Sequence, residues 1–183
     1  IPLRAGLIGP NGQSLPLHLK GEQSDEDIVL HVQETAQDFI FENVPVKPVP
    51  SLLKGFSAPI KLDYPYSRNE LLLLMQFEPD GFARWEASQQ LALQVLGDLL
   101  EFKQQGKTLE VDQRIITAFG TILDSVLENE TLDQAILANL LVLPTEAYIS
   151  ELSDEADVDG IHEVREHLRK QLGMALEEQF LQV

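Results

Sequence analysis

Along residues 1 to 66 the apolar positions alternate with polar ones. Leu3, Ala5 and Leu7 flank Arg4 and Gly6, the period of a strand with one buried face. Pro10-Asn11-Gly12-Gln13 follows, and Asn-Gly is a strong hairpin signal because both residues tolerate positive φ. Leu15 to Lys20 alternates strictly, placing Pro16, His18 and Lys20 on the outer face, and Pro16 makes this an edge strand. Gly21 to Asp27 reads as a polar acidic turn. Ile28, Leu30 and Val32 form another strand face, Phe39-Ile40-Phe41 a short apolar run, and Ile60-Lys61-Leu62-Asp63 a last alternation. A handful of short strands separated by turns predicts a small antiparallel, immunoglobulin-like β-sandwich. Val44 to Pro50 is too rich in proline for a central strand and reads as an extended strap.

From Ser67 the period becomes helical. Ser67 with Glu70 predicts a capping box opening a helix to Phe77. Asp80 then caps a long helix to about Gln105, with Ala92, Val95, Leu96, Leu99 and Leu100 on one stripe and Gly106 as its left-handed end. The next helix carries Ile115, Phe119, Ile122, Leu123 and Val126. Thr131 and Gln134 predict a second capping box for a helix to about Leu143, which Pro144 stops. A short helix over Thr145 to Leu152 precedes a last one from Asp157 past Leu181. Successive helices with short turns predict a solenoid-type array. The expected division is a β-sandwich domain over 1–66 and the start of an α-helical domain over 67–183, an α+β chain.

Composition narrows the function. The 183 residues hold 30 acids and 13 bases, a net charge of −17. Most of it, −14, belongs to residues 67–183. Such a surface disfavours nucleic acid, whose affinity rests on Lys and Arg, and anionic lipid, which needs basic clusters. No apolar run reaches the length of a spanning helix, so no membrane insertion is expected. Cysteine is absent, which excludes disulfides and thiolate chemistry, and a cytoplasmic location is expected. The chain opens on Ile1 inside a strand pattern and ends inside a helical one, so a longer parent is expected.

The titratable clusters offer several candidate sites. His18 and His31 sit on alternating strands, where a metal pair requires them to be cross-strand neighbours. His162-Glu163-Val164-Arg165-Glu166-His167 approaches a zinc-binding helix, but its histidines are five apart and so about 140° apart around the helix, unable to share one ion. Glu155, Asp157, Asp159, Gly160 and Glu166 approximate a calcium loop with Glu in the first position. Asp157 and Asp159 equally serve as caps and dipole partners of the last helix, so no calcium site is expected. Gly6, Gly9 and Gly12 lack the dinucleotide fingerprint and a following helix. Phe82 and Trp85 are expected in core packing or a helix–helix contact, and Arg4 and Arg84 are isolated candidates for carboxylates. These residues compose no catalytic or metal site; substrate-binding residues are unknown.

Several stretches carry a family resemblance. Val49-Pro50-Ser51-Leu52-Leu53-Lys54-Gly55-Phe56-Ser57-Ala58-Pro59-Ile60-Lys61-Leu62 resembles the segment joining the β-sandwich to the helical domain in bacterial aminopeptidases of the M1 zinc-metallopeptidase family. That family usually has Arg where Lys54 stands. Asp80-Gly81-Phe82-Ala83-Arg84-Trp85-Glu86-Ala87-Ser88-Gln89 is similar to its Asp-x-Phe-x-Arg-Trp-Glu-Ala-x-Gln stretch, and Leu143-Pro144-Thr145-Glu146 to its Leu-Pro-Ser-Glu. Ile161 to Glu166 fits a family helix. The resemblance implies a parent that removes N-terminal residues from peptides. Its zinc would be held by His-Glu-x-x-His and a distant Glu, and a Gly-Ala-Met-Glu-Asn loop would grip the substrate amine. Neither motif occurs here, so the resemblance places the catalytic domain before Ile1 and further helices after Val183, with no cofactor in this segment. It implies a brace for the catalytic domain and a wall of the substrate chamber. The competing reading is an independent immunoglobulin-like plus helical binding module. With helices missing beyond the end, Leu168, Leu172, Ala175, Leu176 and Phe180 are expected to form an exposed stripe.

Overall fold

A computed structural model describes residues 1–19, 21–128, 134–152 and 156–182, without the side chains of Val126, Glu128, Gln134 and Ile136. The chain forms two compact units, residues 1–87 and 88–183.

The first unit is built on β1 (Pro2–Ile8), β2 (Leu17–Leu19), β3 (Glu22–Ser24), β4 (Ile28–His31) and β5 (Val49–Leu52). β1 lies at the centre of a three-stranded antiparallel sheet ordered β4-β1-β5, and β2 pairs with β3 in a second sheet. Ala5 and Leu7 of β1, Leu15, Leu17 of β2, and Ile28 and Leu30 of β4 make the buried core. These are the alternating positions expected to face inward. The turn after β1 closes through Gly9 N to Gln13 O (2.8 Å) and Gly12 N to Gly9 O (2.9 Å).

Three expectations for this unit need correction. Glu22–Ser24 is a strand, not a turn, and pairs with Leu17–Leu19. A backbone ladder makes no demand on side-chain polarity, so this short edge hairpin leaves no apolar signal. Val49–Leu52, inside and beyond the strap, is an edge strand that sets Pro50 opposite Leu7, a placement where the missing N–H of proline is harmless. Ile60–Asp63 forms no strand; Pro59 and Pro65 bracket it, and Ile60 N bonds locally to Ala58 O (2.9 Å). In Phe39-Ile40-Phe41, the outer two residues pack on the core while Ile40 is exposed.

α1 (Arg68–Phe77) starts at the Ser67–Glu70 capping box, with both reciprocal hydrogen bonds present. It and the first two turns of α2 (Gly81–Gln104) belong to the first unit. The second unit holds the rest of α2, then α3 (Gln113–Glu128), α4 (Gln134–Leu140), α5 (Glu146–Glu151), α6 (Val158–Ala175) and α7 (Glu177–Gln182). Gly106 ends α2 in a left-handed cap, with Lys107 N on Phe102 O (2.9 Å) and Gly106 N on Lys103 O (3.0 Å). Ala92, Val95, Leu96 and Leu99 are buried on α2, and Ile115, Phe119, Ile122 and Leu123 on α3. Thr145 caps α5 and Asp157 caps α6. The Thr131–Gln134 box and the side chain of Val126 lie outside the described residues.

The last predicted helix is two. It breaks at Leu176, where Leu176 packs beside Gly120 of α3 and is buried. The expected exposed stripe is also corrected. Leu168, Leu172 and Leu176 are buried, because α6 packs against α3, α5 and α7 within the unit. Ala175, Phe180, Met174 and Leu181 remain exposed.

Candidate functional site

The second face of β1 carries charge around Arg4 and Gly6, while Ile8 on the same face is buried. Its Gly6 has Lys54 against it: a Cβ there would come within 3.2 Å of the ammonium, so only glycine lets the side chain pass without displacement. Lys54 sits in the 3-10 turn Lys54–Phe56 after β5, embedded in the apolar run Leu52-Leu53 and Phe56. It is buried, and its Nζ lies 3.2 Å from Glu78 Oε1 and 3.9 Å from Asp27 Oδ2. Glu78 ends α1 and is also buried. Its Oε1 also accepts from Asp80 N (2.8 Å), while Oε2 is buried without a hydrogen-bond partner, as is Ser51 Oγ. Asp27 continues the cluster outward to Arg4 Nη2 at 3.0 Å. That contact holds the Arg4 guanidinium above its usual range, through the Asp27 hydrogen bond first and its charge second.

The aspartate that caps α2 has a second role. Asp80 Oδ1 accepts from Ala83 N (2.9 Å), the expected cap, and from Gly55 N (3.0 Å) in the 3-10 turn. Arg84 turns back and donates from Nε to Met75 O (3.1 Å); burial pushes its guanidinium below the usual range. Two of the segments that carry the resemblance, 49–62 and 80–89, therefore meet here through Lys54, Asp80 and the adjoining buried Glu78. Over them lie three rings in series: Phe56 to Phe82 at 5.2 Å between centroids, and Phe82 to Trp85 at 5.8 Å. Phe56 is 52% exposed and Trp85 37%, so Trp85 packs in this ring series at the surface and not in the core.

This arrangement holds no nucleophile–base pair. A buried lysine between two carboxylates neutralises charge and fixes three backbone segments. A lysine gives a compact point charge rather than the bidentate fork of arginine.

The other candidates are engaged elsewhere. His18 is on β2 and His31 on β4, in different sheets, so they are not cross-strand neighbours. His162 Nδ1 lies 2.8 Å from Glu146 Oε1, which raises its pKa, first by the hydrogen bond and then by charge. His167 Nε2 lies 3.1 Å from Leu109 O, so the two imidazoles face different partners. Asp157 Oδ1 accepts from Gly160 N (2.8 Å) as a helix cap, and Gly160 is helical, not a loop turn. Glu166 binds Arg169, which lowers its pKa. Glu155 lies outside the described residues. Among the described residues no group of three or more His, Asp or Glu could hold a metal ion, and no helix is long and apolar enough to cross a membrane.

Sequence reasoning found Asp80 but missed Asp27 and Glu78. The available signal was Lys54 itself: a charge inside an apolar run demands a buried counter-charge.

A family model described as a domain of unknown function with ARM repeats (DUF3458_C) matches residues 68–183. One described as a domain of unknown function with an Ig-like fold (DUF3458) matches residues 1–65. The chain is 37% identical over 183 residues to aminopeptidase N of Haemophilus influenzae and 36% to that of Escherichia coli, covering 100% of this chain and 20% of each relative. Aminopeptidase N of Caulobacter vibrioides is 30% identical over 171 residues, 93% of this chain and 18% of that protein. The crystal structure of Legionella pneumophila aminopeptidase A in complex with aspartic acid is similar with a TM-score of 0.75 at 29% identity, over 99% of this chain and 19% of that one. The chain thus spans about a fifth of the length of the curated relatives it matches.

Proposed function

The chain belongs to the DUF3458_C family of ARM repeats, preceded by an Ig-like DUF3458 domain, and from that premise we propose that it is the bracing part of a bacterial M1 zinc aminopeptidase. The observation that carries this is the match over the whole chain to one fifth of aminopeptidase N. In this reading residues 1–66 form the sandwich domain and 67–183 begin the solenoid. Zinc, the water it activates and the grip on the substrate amine belong to polypeptide outside this chain. The parent acts on peptides in the cytoplasm. This chain supports the catalytic domain, and its helices help wall the substrate chamber together with further helices of the same parent. The buried Lys54–Glu78 pair and the Asp80 tether suit bracing, since they fix the link between sheet and helices at several points. An independent binding module has no comparable support.

The test pairs this chain with the polypeptide that precedes the matched fifth in Escherichia coli aminopeptidase N. Alone, the chain should hydrolyse no aminoacyl-anilide, with or without zinc. Added in trans, it should raise the heat resistance of the zinc-loaded partner's activity. Chelator-sensitive turnover by the chain alone, or a partner indifferent to it, would overturn the reading.

A further inference from the structure

The three rings over the Lys54 cluster are built unlike an ordinary exposed apolar residue. Phe56 has a φ of 51°, Gly55 of 60° and Leu53 of 60°, so the turn that presents Phe56 is held in the left-handed region. Such a conformation in a non-glycine residue persists only where its surroundings impose it. Here they do: Lys54 is clamped by Glu78 and Asp27, and Gly55 by Asp80, on either side of the strained bonds. The result is a rigid aromatic step, Phe56 over Phe82 over Trp85, with its outer rings partly in water. Rigid aromatic anchors of this kind concentrate binding energy because little freedom remains to be lost on docking.

We propose that this aromatic step is the docking surface for the catalytic portion of the same aminopeptidase polypeptide, which seats apolar side chains on Phe56 and Trp85. Two observations favour that occupant. The relatives carry the counterpart of this chain as a fifth of their length, so four-fifths of each polypeptide is tethered to it at high effective concentration. The step also lies in the less charged unit, net −5 over residues 1–87 against −12 over 88–183, where an apolar partner docks without desolvating many carboxylates. The proposal rests on the bracing reading above and names the surface through which bracing acts.

Trp85 is the single tryptophan, so 5-fluorotryptophan gives the chain one fluorine resonance at the step itself. Unlabelled polypeptide preceding the matched fifth of Escherichia coli aminopeptidase N is titrated in, with sedimentation followed in parallel. The resonance should shift saturably. Phe56→Ala, and independently Phe82→Leu in case the first does not fold, should weaken association about tenfold or more. Ile40→Ser, an exposed apolar change in the same unit, should leave it unchanged. Association seen by sedimentation without movement of the resonance would overturn the docking surface and leave the bracing reading standing. Equal effects of the Phe56 and Ile40 variants would do the same. No association at all would overturn both.

Discussion

Replacing Lys54 with Ala leaves Glu78 buried with no counter-charge at 3.2 Å, and breaking a buried pair from one side costs about 3–5 kcal/mol. The double change Lys54→Met with Glu78→Leu removes both charges and should recover most of that loss. Urea denaturation of the two variants measures the difference; equal losses would show that the pair is not coupled. Glu70 offers a pH test. Its hydrogen bonds from Ser67, backbone first and hydroxyl second, hold its carboxyl below its ordinary 4.5. The stabilisation is therefore present above that ordinary value and lost as pH falls through the lower folded value. Glu70→Gln should flatten that part of the acid limb, in denaturation curves taken at successive pH values. His162 has the opposite sign. Glu146 raises its pKa above 6.5, so any stabilisation is present below 6.5 and fades as pH rises through the folded value. Glu146→Gln should move the His162 titration seen by NMR back toward the ordinary value.

Among the elements, α2 depends on one side chain at its start. Asp80→Ala removes both the bond to Ala83 N and the tether to Gly55 N, at a cost of about 1–2 kcal/mol. Asp80→Asn keeps an accepting oxygen and should lose less by thermal melting. The α6–α7 break depends on a small residue in another helix. A Cβ at Gly120 would stand 3.2 Å from Leu176 Cδ2 and 3.3 Å from Gln179 Nε2. Gly120→Val should cost about 1–3 kcal/mol by overpacking and speed amide exchange in α7 first. Unchanged exchange there would show that α7 is held by other contacts.

At the scale of the whole molecule, the first unit runs to Ala87 and so includes α1. A chain cut after residue 66 loses Glu78 and Asp80 and leaves Lys54 without its nearest carboxylate. Residues 1–87 should therefore unfold cooperatively in urea, while 1–66, already of marginal size, should not. Cooperative unfolding of both pieces would mean that the sheet needs no help from α1. Local sequence is enough to place these helix starts, because Ser67, Thr145 and Asp157 satisfy backbone groups within their own first turns. It also determined the inward faces of β1 and β4, since alternation is local. Tertiary structure alone decided the rest. β3 follows from backbone pairing that its polar side chains do not announce. Leu168, Leu172 and Leu176 are buried because neighbouring helices cover them, and the break at Leu176 sits against the gap at Gly120. The Lys54–Glu78–Asp27 cluster joins residues 24 and 27 positions distant from the lysine, and no local period encodes a contact at that range.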